Sequence, residues 1–256
     1  MNATNAMNTV TVEAPAKLTL SLRITGVRDD GYHLIDAEMV ALDLADTLTI
    51  APLPDDAAST LTADGPFSAG MPVDGSNLIL GALRLAGRAA RIHVHKAIPH
   101  GGGLGGGSSD AAAVLAWAGC TDLEAASRLG ADVPFCVAGG RARVRGIGEI
   151  VEPLPFQPME LTLVIPPLAV STPAAYRAWD EIAASDPSAA HQGDNELAAA
   201  ALVVEPELAT WRDRIAAAAG SVPTLAGSGA TWFLRGHHPA LADLPGAAVV
   251  LARTRA

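Results

Sequence analysis

From Pro99 to Asp110 the chain reads Pro99-His100-Gly101-Gly102-Gly103-Leu104-Gly105-Gly106-Gly107-Ser108-Ser109-Asp110, with six glycines in seven positions. Each glycine gives up unusual backbone freedom on folding, so such a run persists where backbone must approach a ligand too closely for side chains. Arg91-Ile92-His93-Val94-His95-Lys96 ahead of it alternates like a strand, and Ser108 to Trp117 reads as a helix opened by hydroxyl caps. Strand, glycine loop and helix start make an anion cradle, in which free N–H groups and roughly half a positive charge of helix dipole face a phosphate. Gly101, Gly103 and Gly106 also satisfy the G-x-G-x-x-G dinucleotide spacing, with Asp122 about twenty residues on. Against that, Thr121-Asp122-Leu123-Glu124-Ala125-Ala126 reads as a helix beginning, where a dinucleotide fold needs the end of a second parallel strand. No Lys-Ser or Lys-Thr pair follows the glycines, which excludes a Walker P-loop. A flexible linker does not suit a place between a strand and an alanine-rich helix.

Two further residue types bear on chemistry. Of the 17 basic residues only Lys17 and Lys96 are lysines. Where arginine has served everywhere else, the two lysines are candidates for work that needs a compact ammonium. Asp132 stands before Val133-Pro134-Phe135, and an acid in such apolar company is costly unless paired. Read alone, it is also a reasonable helix cap.

The whole composition narrows the possibilities. A chain of 256 residues holds one large domain or two modest ones. Its 17 basic against 27 acidic residues give a net charge of −10, which argues against a nucleic-acid partner. There is no apolar run of about 18 residues, and Met1 to Thr9 is polar and uncharged, so no membrane span or signal peptide is expected and the cytoplasm is the expected location. Cys120 and Cys136 lie in apolar surroundings and read as free, buried thiols of a reducing compartment.

The elements that must position these residues begin with strands over 10–14 and 18–24, separated by a break at Pro15. A turn at Asp29-Asp30-Gly31 and strands over 32–44 and 46–51 follow. Asp74-Gly75-Ser76-Asn77 caps a helix predicted over 78–90. Beyond the loop come a helix from Asp122 to Leu129, a short apolar segment over 131–140 and a strand pair over 141–150. The cluster of Pro153, Pro155 and Pro158 marks the expected domain boundary. Residues 161–165, 231–234 and 247–251 read as strands, and 173–183, 195–203 and 206–219 as helices. Ala183 to Gly193 is the candidate mobile loop. Strands mixed with helices without βαβ alternation point to an α+β fold.

With these segments placed, the chain resembles the GHMP kinase superfamily. The resemblance rests on Ala14-Pro15-Ala16-Lys17-Leu18 with Gly31-Tyr32-His33 downstream, Lys96 with residues 99–112, Leu129 to Phe135, and Ala226-Gly227-Ser228-Gly229-Ala230. It implies a ribosomal protein S5 domain 2-like nucleotide domain over 1–152 and a ferredoxin-like α+β substrate domain over 153–256. It further implies ATP with Mg²⁺, a small-molecule alcohol as acceptor, and no nucleic-acid or membrane partner. Lys17 and Asp132 are then the catalytic pair, the aspartate taking the hydroxyl proton and the lysine steadying the transferred phosphoryl group. Leu78, Lys96, Pro99, Gly101, Gly102, Gly103, Leu104, Gly105, Gly106, Gly107, Ser108 and Ser109 would hold ATP. Thr19, Tyr32, His33, Tyr176, Gly227, Ser228 and Gly229 would bind the acceptor, with no residue assigned as a metal ligand.

Within the superfamily the chain resembles the branch that phosphorylates the 2-hydroxyl of a cytidine-diphosphate-linked methylerythritol, and that resemblance implies that Tyr32 and Tyr176, the only two tyrosines, sandwich a cytosine ring whose edge His33 pairs. Another kinase of the superfamily and a catalytically silent nucleotide-binding regulator are the alternatives. Thr19 and Asp110 stand where the family commonly has asparagine, and His100 replaces an often apolar neighbour.

Overall fold

The computed structural model describes residues 8–256. Two long antiparallel strands, β1 (Val10–Val27) and β2 (His33–Leu53), form its spine, and the turn between them needs Gly31, whose φ is +86°. The expected break at Pro15 does not occur. The strand runs through the proline because the register slips between Pro15 and Lys17, and that bulge absorbs the missing N–H. The two strands expected over 32–51 are likewise one.

Beside β2 lie β4 (Ala89–His95) and, parallel to β4, β3 (Thr60–Asp64), which the sequence did not disclose. Between them in sequence, α1 (Leu78–Leu85) begins at Asn77, whose side chain accepts from the Ile79 N–H at 2.8 Å. It ends five residues before the predicted Ala90. Gly87 turns the chain at φ +62°, and Ala89 and Ala90 leave the helix to pair with Leu53 and Pro52. Next, α2 (Gly106–Trp117) starts two residues before its predicted hydroxyl cap, with Gly105 in the left-handed region at the N-cap. The short α3 (Leu123–Ser127) is capped by Asp122, which accepts from Ala125 N, so that acid does not end a parallel strand and the dinucleotide reading falls. α4 (Val133–Ala138) and the hairpin of β5 (Arg141–Gly146) and β6 (Ile150–Pro153) complete this half.

The second half holds β7 (Glu160–Ile165), α5 (Thr172–Ser185), α6 (Pro187–Ala190), α7 (Ala198–Val204), α8 (Glu207–Ala219), β8 (Thr224–Leu225), β9 (Trp232–Arg235) and β10 (Ala248–Arg255). Residues 183–193, expected as a mobile loop, instead end α5 and form α6. There Trp179 Nε1 donates to the Ala190 carbonyl at 3.2 Å, and Ala190 is buried.

Strand β10 pairs with β7 over residues 248–253 and then with Leu42 and Ala41 of β2, so the two halves share one ten-stranded mixed sheet. The core follows that continuity. Leu18 and Leu42 from the first half pack in one cluster with Leu161, Phe233 and Ala252 from the second. Leu104, the one residue with a side chain among the loop glycines, drives into the same cluster. Burying such a leucine contributes about 1.5–3 kcal/mol, which anchors an otherwise entropically costly loop. Among the described residues no helix is long and apolar enough to cross a membrane.

Candidate active site

The glycine loop links the end of β4 to α2, and its glycines are required by what lies against them. A Cβ on Gly105 would stand 2.6 Å from Lys17 Cγ, and one on Gly103 would stand 2.5 Å from the Ala226 carbonyl oxygen. Both have positive φ, so any side chain there is strained as well as blocked. The loop therefore touches the lysine on β1 and the 226–229 turn of the second half at once. The Lys17 N–H donates to the Leu104 carbonyl at 3.0 Å, and Thr231 N–H to Gly102 at 3.2 Å.

Over the loop lies a cavity of about 210 Å³ lined by Leu78, Lys96, Ile98, Pro99, His100, Gly101 to Gly107 and Ser108. The first N–H groups of α2 have no acceptor within the helix, which leaves them for an anion. Three of the predicted nucleotide residues contribute differently from the rest. Leu104 offers only backbone, since its side chain is buried. Ser109 is buried too, its hydroxyl donating to the Pro15 carbonyl and lying 3.4 Å from Cys136 Sγ. Lys96 lines the cavity with its ammonium held between two buried carboxylates.

There Lys96 Nζ donates to Asp46 and, at 2.6 Å, to Asp110 Oδ2, with all three residues buried. Asp46 Oδ1 also accepts from Ala97 and Ile98 N–H at 2.6 and 2.8 Å, which fixes the turn out of β4. Asp110 Oδ1 has no hydrogen-bond partner among the described residues. Burial, with Asp46 adding like-charge repulsion, outweighs Lys96 and pushes the Asp110 carboxyl up to about 7.

A second cavity of about 290 Å³ adjoins the first through Gly103, Gly105 and Ser108. Lys17 and Asp132 meet in it. Lys17 Nζ lies 3.1 Å from Asp132 Oδ2 and donates to Thr19 Oγ1 at 3.2 Å. Lys17 reaches this point from the buried centre of β1, while Asp132 stands at the start of α4 without making the cap hydrogen bond its position would allow. The lysine side chain is 6% exposed and the carboxylate 32%, so the pair is sealed on one side and open to the cavity on the other. Gly227 and Ser228 line the same cavity, where Ser228 Oγ and Thr172 Oγ1 are 2.8 Å apart. Gly229 does not line it; a Cβ there would meet Leu225 and Val170.

A third cavity, about 380 Å³, shares His33, Ala131, Ile147, Thr172 and Tyr176 with the second. Tyr32 is 61% exposed on its rim, with the Arg28 guanidinium 6.0 Å from its ring centroid. His33, and not Tyr32, stacks on Tyr176, at 4.6 Å between centroids. Burial, with Asp132 second, pushes the Tyr176 hydroxyl up to about 12 and keeps it a neutral donor.

Sequence reasoning missed several participants. Asp46 looked like any polar residue of a strand, and Asn195 like the start of a helix. Buried Asn195 donates to the Leu225 and Gly227 carbonyls at 2.8 and 2.6 Å and accepts from Leu197 N–H, so it holds the 226–229 turn in place. Arg177 is the one cation lining the third cavity and makes no ion pair among the described residues. The signal for it was its place beside Tyr176. Both cysteines are free and half-buried, and burial pushes the Cys136 thiol up to about 12.

Comparison with known proteins matches residues 77–140 to the GHMP kinases N terminal domain. The chain is 43% identical over 239 residues to 4-diphosphocytidyl-2-C-methyl-D-erythritol kinase of Paracoccus denitrificans (strain Pd 1222), covering 86% of this chain and 84% of that one. The protein of the same name from Paramagnetospirillum magneticum (strain ATCC 700264 / AMB-1) is 38% identical over 259 residues, 89% of each chain. A crystal structure of 4-(cytidine 5'-diphospho)-2C-methyl-D-erythritol kinase superposes with a TM-score of 0.73 at 31% identity, over 96% of this chain and 100% of that chain. The L. major mevalonate kinase in complex with R-mevalonate shares the fold, with a TM-score of 0.67 at 13% identity over 99% of this chain and 98% of that chain.

Proposed function

Because the chain belongs to the 4-diphosphocytidyl-2-C-methyl-D-erythritol kinases, a branch of the GHMP kinases, we propose that it moves the γ-phosphoryl group of MgATP to the 2-hydroxyl of 4-(cytidine 5'-diphospho)-2-C-methyl-D-erythritol, in isoprenoid precursor synthesis by the non-mevalonate route. The observation that carries this reading is the Lys17–Asp132 pair, 3.1 Å apart, where the loop cavity opens toward the aromatic one. Phosphoryl transfer asks little covalent work of a protein; it needs the donor and acceptor held in line and charge met as it develops.

Each part has a residue here. Loop N–H groups and Ser108 hold the triphosphate, whose Mg²⁺ comes with the nucleotide as part of the substrate. Asp132 takes the proton of the acceptor hydroxyl. Lys17, fixed by Thr19 and packed on Gly105, holds that carboxylate in place and meets charge on the transferred group. His33, Tyr32 and Tyr176 receive the cytosine, and Arg177 meets the diphosphate. On this reading residues 1–152 hold the nucleotide, and the acceptor lies between them and residues 153–256.

The test is ADP release with MgATP across a panel of cytidine-diphospho methylerythritol, homoserine and mevalonate. Turnover confined to the first is expected, whereas turnover of either other alcohol in its place would overturn the substrate assignment. Binding of ATP with no turnover of any alcohol would favour a silent nucleotide-binding regulator.

A further inference from the structure

His33 is held on three sides. Tyr176 stacks on it with 29° between the ring planes, Trp179 meets it edge-on at 5.8 Å between centroids, and Asp180 Oδ1 lies 2.7 Å from its Nε2. Tyr176 and Asp180 are four residues apart on α5, so one face of that helix supplies both the stacking ring and the carboxylate. An ionised carboxylate only accepts, so Nε2 is the donor in this bond. In a neutral imidazole the other nitrogen, Nδ1, is then a lone-pair acceptor. Nδ1 enters no hydrogen bond among the described residues, while the ring lines both the central and the aromatic cavities.

Asp180 is about half exposed, and a hydrogen bond so open to water contributes little to folding. Its consequence is orientation. Resting on the function proposed above, we infer that Asp180 is a positioning residue for base selection: it locks His33 in the tautomer that accepts at Nδ1, and so favours a pyrimidine with an exocyclic amine over its carbonyl counterpart. Cytosine offers an N–H donor at that edge. Uracil offers an oxygen, which would face the Nδ1 lone pair and leave two acceptors opposed, and a site built to pair one hydrogen-bonding pattern rejects its inverse strongly.

Two measurements test this on the full chain, alongside Asp180→Leu and Asp180→Asn. Nitrogen-15 NMR of histidine-labelled protein near neutral pH, with the His33 signals assigned by their loss in His33→Asn, reads the tautomer directly. A proton on Nε2 alone is expected in the parent and a mixture of tautomers in Asp180→Leu. In kinetics, Asp180→Leu should raise KM for the cytidine substrate about tenfold with kcat within about twofold, and lower the preference over the uridine analogue about tenfold; Asp180→Asn, which can still accept, should recover part of both. A proton on Nδ1 in the parent, or discrimination unchanged in Asp180→Leu, would overturn the inference. The two failures are separable: parent enzyme inactive on the cytidine substrate sinks the proposed function, whereas the NMR result stands or falls without turnover.

Discussion

The two lysines of this chain each meet aspartate, and their surroundings make them different instruments. Lys17 pairs with one carboxylate that keeps a third of its surface open to a cavity; Lys96 is sealed between two carboxylates with no more than 2% exposed side chain each. A charge that must meet a ligand needs an open side. An ammonium held between two buried carboxylates has its charge met within the protein, and Lys96 ties β2, the turn out of β4 and α2 together beside the loop cavity that it lines. One residue type therefore serves chemistry at one end of the loop and architecture at the other.

Substitutions can break that contrast. Lys17→Met should lower kcat by roughly 10²–10³ while urea unfolding stays near the parent's, because Asp132 remains partly solvated when its partner goes. If folding suffered as much as turnover, Lys17 would belong with Lys96. Lys96→Met should do the reverse and first cost stability, about 3–5 kcal/mol in chemical denaturation, because two buried carboxylates are left without a cation. A stable Lys96→Met protein with only its turnover lost would assign that lysine to catalysis.

The smallest effect concerns pH. Asp110 is held near 7 in the folded protein and lies near the ordinary aspartate value of about 3.9 when unfolded. Between those values the folded chain keeps a proton that the unfolded chain has released, so this group's contribution to stability falls as pH rises through that window and levels off above about 7. Asp110→Asn should flatten the fall, read as urea midpoints across the window; an identical pH profile in both proteins would mean that Asp110 is ionised throughout.

How much of this was legible in the sequence follows the range of each interaction. The loop, Lys17 and Asp132 stand in short local motifs whose residue types carry their chemistry, so their candidacy could be read without a fold. Asp46 could not be read, because the groups it serves, Lys96, Ala97 and Ile98, lie 50 to 52 residues away. Asp180 reaches His33 across 147 positions, and Asn195 reaches Gly227 across 32. Boundaries failed for a related reason. The helical spacing of apolar residues after Leu78 continues past Gly87, but Ala89 and Ala90 gain more as strand partners of β2 than as another helical turn. Pro15 looked like a break because the bulge that accommodates it depends on the register of a strand some thirty residues on.

Asp132→Asn bears on whether the open Lys17–Asp132 pair performs phosphoryl transfer beside the nucleotide loop, when single-turnover phosphoryl transfer is measured together with MgATP affinity. The rate should fall by about 10²–10⁴ with ATP affinity within about twofold of the parent. A variant that transfers phosphoryl as fast as the parent would remove Asp132 from the chemistry.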